Sequence, residues 1–223
     1  MAYSHGTPNS IIKDGLVFAV DPANIRSYPG SGTVTNTLIG SNEGTLQSSN
    51  MFLNINGGAF DLDGADEEIS FSNATNFPVS NSVRTMIVWF KANSTGWGDG
   101  ERGIFSYGSG TSHNGVLITM YAAGSVRVRM GYNAGFGSGL VDNKWHNVAV
   151  TFNGGILCYC WIDNIAQGSG YQYAVNTSAT SPKIGNYANQ RFLGQIGPIM
   201  VYDRELPTKE LTQNYNALKG RFS

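Results

Sequence analysis

Five acids crowd one short stretch: Asp61, Asp63, Asp66, Glu67 and Glu68, around Asp63-Gly64-Ala65-Asp66. Retaining glycoside hydrolysis needs two carboxyl groups about 5–5.5 Å apart, a spacing that alternate residues of one strand can supply. Asp61 and Asp63 can share a strand face, but they lead into a Gly-containing turn, where Asp is expected for its bond to the backbone. The same oxygens are hard ligands of the kind calcium takes about six to eight of. Asp63, Asp66 and nearby carbonyls offer a few, and turn formation explains these residues equally well. The three histidines, His5, His113 and His146, are scattered. No Ser or Cys has a visible base, and no metal-ligand spacing occurs. Ser31-Gly32 lacks the following Lys of a phosphate loop. The residues therefore imply no catalytic site, no cofactor and no metal. Cys158 and Cys160 lie two apart, about 6–7 Å along a strand, which is too far for the usual disulfide geometry. They read as small, reduced, buried hydrophobes of a protein assembled in a cytoplasm.

The most informative pattern is aromatic. In Arg84 to Lys91, Met86, Val88 and Phe90 share one face, while Ile87 and Trp89 occupy the opposite one. In Ile156 to Asp163, Cys158, Cys160 and Ile162 oppose Leu157, Tyr159 and Trp161. Such strands are apolar on both faces. Loops or a partner must cover the second face, or it forms an aromatic platform. Trp89, Tyr159 and Trp161 are thus the candidate ligand- or partner-binding residues, able to stack on sugar rings. Packing under loops or against a neighbouring subunit is the plainer reading. Ser125 to Met130 behaves differently: Val126, Val128 and Met130 face one way, Arg127 and Arg129 the other, as in a sheet wet on one side. His146 shares parity with Val148, Val150 and Phe152, so a partly buried structural histidine is expected.

The elements that must carry these residues are strands. Charged residues make up 13% of the 223, Gly reaches 29, and the hydrophobic share of 41% excludes disorder. Such a composition suits short strands joined by tight turns. Strand-like segments recur from Gly15 onward, with a turn-rich stretch from Asp21 to Asn50 and a hairpin signal at Asn153-Gly154-Gly155. One helix is expected, at Pro207 to Leu218. The fold class is all-β, a two-sheet antiparallel sandwich with one short C-terminal helix, and one domain suffices. Residues 1–13 form an N-terminal arm and 14–223 the domain. The expected core holds Val126, Val128, Met130, Val148, Val150, Phe152 and Ile162. A net charge of −1 gives no footprint for nucleic acid or an anionic membrane surface. Met1 to Lys13 lacks the apolar core of a signal peptide, and no run reaches the length of a membrane span.

Trp145-His146-Asn147-Val148-Ala149-Val150-Thr151-Phe152-Asn153-Gly154 resembles the "W-H-x-V-A-x-T-F-x-G" strand of laminin G-like, concanavalin A-like jelly rolls. Trp161-Ile162-Asp163-Asn164, Phe60-Asp61-Leu62-Asp63-Gly64, Ile184-Gly185-Asn186 and Val201-Tyr202-Asp203-Arg204 are similar to further strands of that family. Asp14-Gly15-Leu16-Val17, Ser27 to Thr33 and the ending Gln213 to Phe222 resemble laminin G-like domains of structural proteins of tailed bacteriophages. The resemblance implies a jelly-roll sandwich and a structural virion protein. That would be an exposed decoration, neck or fibre subunit, assembled in the host cytoplasm and docking to other virion proteins. It leaves homo-oligomer contacts open. A lectin-like module recognising host-surface glycans is the alternative. Laminarinase-like relatives carry a Glu-x-Asp-x-x-Glu strand, which this chain lacks, so no enzyme is expected. Two departures stand out. Pro207 takes the helix-capping position, presetting a helical φ, and Gly197 replaces an acid that could have helped a metal site.

Overall fold

The structure is a computed structural model, describing residues 10–98, 100–109, 114–121, 124–180 and 182–223. His5, His113 and the arm up to residue 9 lie outside the described residues. In chain order the strands are β1 (Leu16–Val20), β2 (Val34–Asn36), β3 (Glu43–Leu46), β4 (Phe52–Leu53), β5 (Ala59–Asp63), β6 (Ile69–Phe71), β7 (Arg84–Ala92), β8 (Glu101–Gly108), β9 (Gly115–Tyr121), β10 (Ser125–Arg129), β11 (Asn133–Phe136), β12 (Trp145–Phe152), β13 (Leu157–Ile162), β14 (Ile165–Tyr171), β15 (Lys183–Ile184), β16 (Asn186–Tyr187), β17 (Gln190–Arg191) and β18 (Leu193–Tyr202). Helix α1 spans Thr208–Leu218.

Two antiparallel eight-stranded sheets face each other. The first runs β14-β13-β12-β7-β18-β5-β4, with β1 also on β18. The second runs β11-β10-β9-β8-β15-β6-β3-β2, and β16–β17 is a separate hairpin. Alternation decides the layers, because each strand turns one apolar row inward. All seven expected core residues lie in the main cluster between the sheets, none more than 5% exposed. The two cysteines are free and buried there. Burial pushes the Cys158 thiol up to about 11 and raises that of Cys160 further, so both are inert.

The doubly apolar strands have a second core. The outer face of the first sheet presents Leu16, Ala19, Ile87, Ala149, Met200 and Tyr202, which pack with Leu206 and Leu211 of the helical segment. Pro207 caps α1 in an extended conformation (ψ 156°), one residue outside the expected start, and makes no side-chain cap bond. The chain before β1 is also tied down. Ile11 and Ile12 pack on this second core. The Ile12 amide donates to Asn214 Oδ1 (2.8 Å), and the Tyr202 hydroxyl donates to the Ile12 carbonyl (2.9 Å). Hydrogen bonds with α1 and apolar contact thus hold residues 10–12 to the sandwich.

Candidate functional site

The three aromatic candidates occupy successive rungs of the first sheet's outer face. Trp89 stands opposite Asn147, Trp161 opposite Ala149, and Tyr159 opposite Thr151. They do not form an open platform. Trp89 is 3% exposed, stacked between Tyr215 (5.5 Å) and Phe222 (4.5 Å). Trp161 is half-buried against the second core, and Tyr159 is half-buried beside it on β13. The cover is the protein's own helical segment.

His146 sits at the end of β12, half-buried as expected, but with charged partners. Its Nδ1 lies 2.7 Å from Asp163 Oδ2 and its Nε2 3.1 Å from Asp142 Oδ1. Burial opposes the imidazolium, yet the hydrogen bonds and charges of Asp163 and Asp142 outweigh it, and the pKa is raised. Asp142 is four residues upstream, and Asp163 begins the two-residue turn into β14, with φ 51° followed by 65° at Asn164.

The acidic stretch divides on folding. Asp61 accepts from Gln195 (2.7 Å) at the β5–β18 rung, and the Asp63 carboxylate accepts from the Ala65 amide in the turn. Glu67 accepts from Ser48 and from the Asp63 amide; burial, the larger influence, raises its pKa. Glu68 is no solvated turn residue. Its carboxylate meets Lys183 Nζ and Arg191 Nη1, each at 2.8 Å, and the Asn186 amide. Burial alone would raise its pKa, but bonds from Lys183 and Ser70 and the charges of Lys183 and Arg191 hold it below the usual range. Among the described residues no group of three or more His, Cys, Asp or Glu could hold a metal ion.

Glu68, through Lys183 and Asn186, borders a groove on the outer face of the second sheet. Strand registers align one row across all eight strands: Asn133, Arg129, Leu117, Ser106, Lys183, Ser70, Thr45 and Val34. Six of the eight side chains are polar. Over this row leans the β16–β17 hairpin, whose turn residues Ala188 and Asn189 take φ of 49° and 66°. Gly185 lets the chain swing from β15 into the hairpin: its φ is +78°, and a Cβ there would overlap Leu62. Sheet and hairpin enclose a groove of about 440 Å³ lined by Ser106, Leu117, Lys183, Asn186, Tyr187 and Asn189 among others. That volume is within the range of small-ligand sites.

The groove is held by charge. Arg129 donates to the Tyr187 hydroxyl (3.0 Å), lies 4.8 Å over its ring and pairs with Glu101 (3.2 Å). Ser106 donates to the Asn186 carbonyl (3.0 Å). Farther along, Arg127 lies 3.8 Å over the Tyr121 ring. The Asn186 side chain is almost wholly buried, and its Oδ1 has no hydrogen-bond partner among the described residues. A hydroxyl-rich ring would find there an apolar patch (Leu117), an aromatic edge (Tyr187) and an ammonium group (Lys183). Sequence alone supplied only the outward parity of Arg127 and Arg129. The hairpin that builds the wall spans two-residue strands, too short for a periodic signal.

Residues 63–212, two thirds of the chain, match the laminin G-like family described as the Concanavalin A-like lectin/glucanases superfamily. The chain belongs to that superfamily. Solved structures agree on the fold. The botulinum neurotoxin serotype D binding domain superposes with a TM-score of 0.68 at 12% identity, covering 91% of this chain and 51% of that one. The serotype D/C VPI 5993 binding domain gives 0.69 at 13%, covering 92% and 52%. Trypanosoma rangeli sialidase in complex with the inhibitor DANA gives 0.67 at 13%, covering 94% and 33%. The chain thus spans about a third to a half of these structures, and identities this low carry the fold alone. No curated protein matches the chain.

Proposed function

We propose that the chain is a non-catalytic glycan-binding module whose saccharide lies along the outer face of the second sheet, under the β16–β17 hairpin. The observation that carries this reading is the polar row meeting a walled groove on which Lys183, Asn186 and Tyr187 converge. Membership of a lectin and glucanase superfamily supports it. The absence of catalysis is part of the same proposal. A general acid needs a raised pKa, whereas Glu68, the carboxylate bordering the groove, is held low by Lys183 and Arg191. Glu101 is committed to Arg129 and Thr119.

A position on a virion belongs to the proposal only through the sequence stretches similar to tailed-phage structural proteins. Mass spectrometry of purified particles tests that placement.

The glycan reading is tested on a saccharide array. Wild type is expected to retain a defined set of glycans without cleaving them. Tyr187→Ala, which removes ring area but no core contact, should weaken retention at least tenfold, a loss of about 1.4 kcal/mol. Equal retention by this variant, or release of reducing ends, would count against the proposal.

A further inference from the structure

A second cavity, of about 410 Å³, opens at the far end of the first sheet's outer face, away from the polar groove. Its inner wall is a run of four rings. Tyr215 lies on Trp89 (5.5 Å, 13° between planes), Trp89 on Phe222 (4.5 Å, 21°), and Phe222 on Trp145 (4.6 Å, 45°). The run exists because β18 has Gly197 there. A Cβ at that position would come within 3.1 Å of the Phe222 ring and 3.3 Å of Trp89 Cβ. The departure from the family's acid at Gly197 therefore has a packing reason: it seats Phe222. Arg221, fixed by Asp21 and the Asn56 carbonyl, holds that segment in place.

Polar groups complete the cavity. Lys144, Lys219 and His146 line it against one acidic side chain, Asp163. Lys144 is exposed and pairs loosely with Asp142 at 3.5 Å, an arrangement worth little in water, so its ammonium group is available. The Trp145 indole N–H donates to Asn56 Oδ1 (3.2 Å), whereas those of Trp89 and Trp97 are buried with no partner among the described residues.

We propose that this cavity is a second ligand site, for a carboxylated sugar ring: the ring's apolar face against the open side of the aromatic wall and its carboxylate at Lys144 and Lys219, with the buried Trp89 indole as reporter. Aromatic surface selects the ring and two ammonium groups select the acid. Uronic and sialic acids share that chemistry. The four tryptophans of the chain give four indole N–H signals, which makes the test direct. Methyl glucuronide, N-acetylneuraminic acid and neutral methyl glucoside are titrated separately into ¹⁵N-labelled protein. The Trp89 indole signal is expected to move saturably with one or both acids, at least fivefold more tightly than with the neutral sugar, while Trp97 stays fixed. Whichever acid binds more tightly names the source. The double variant Lys144→Ala, Lys219→Ala changes two exposed residues and should cut the acid preference below twofold. Lys183→Ala, in the other groove, should leave it unaltered. A Trp89 signal that no acid moves, an equal response to the neutral sugar, or a preference that survives the double variant would overturn the proposal.

Discussion

His146 bridges Asp142 and Asp163 at the mouth of the aromatic cavity, and its protonation joins a strand end to a hairpin turn. Its pKa is raised on folding, so the stability it contributes is fully present below the ordinary value of about 6.5 and is lost as pH rises through the folded value. Melting temperature is therefore expected to fall between mildly acid and mildly alkaline pH. His146→Gln should flatten that slope, and an unchanged slope in the variant would locate the titration elsewhere. Sequence parity placed His146 as partly buried, but its partners were invisible, because Asp163 is brought to it only by the β12–β13 register. Trp89 shows the same limit. Alternation gave its face correctly, yet the ring that covers it lies 133 residues further on, at Phe222. The polar groove was illegible for a different reason. Lys183, Asn186 and Tyr187 sit on strands of two residues, and only tertiary pairing with β6 and β8 aligns Lys183 with Ser70 and Ser106.

At the level of elements, α1 acts as the roof of the first sheet, and Asn214 is its polar fastening. The side chain is 1% exposed; it accepts from the Ile12 amide (2.8 Å) and donates to the Tyr202 hydroxyl (3.1 Å). Asn214→Ala leaves both without that partner, at a cost of about 2 kcal/mol, which for a domain of this size lowers Tm by roughly 4–8 °C. Asn214→Asp keeps the acceptor for Ile12 and should lose less; losses equal to those of Asn214→Ala in thermal melts would mean that the bond from the Ile12 amide contributes nothing. The helix was readable from its sequence, as were the long strands β7, β9, β10 and β12. Strand β14 was not, because Gly168 and Gly170 interrupt an exposed run with no apolar alternation. Strands β2 and β3 were hidden in a stretch dominated by turn residues, and their pairing comes from β6 rather than from their own propensity.

Across the whole molecule, the two outer faces of one sandwich have opposite characters. The first sheet is apolar on both sides and closes its outer face with its own helix, while the second keeps a row of polar side chains open to solvent. That division follows from alternation: strands with one apolar row stay wet, and strands with two must be covered. On the proposed reading the saccharide lies on the wet face, where the β16–β17 hairpin turns a flat surface into a groove. The most direct measurement is a map of backbone amide shifts while the best-retained saccharide of an array is titrated in. Perturbations are predicted at Ser106, Leu117, Lys183, Asn186 and Tyr187, with Arg129 following through its bond to Tyr187. A map that leaves these six residues unmoved while the saccharide binds would contradict glycan recognition by the second sheet.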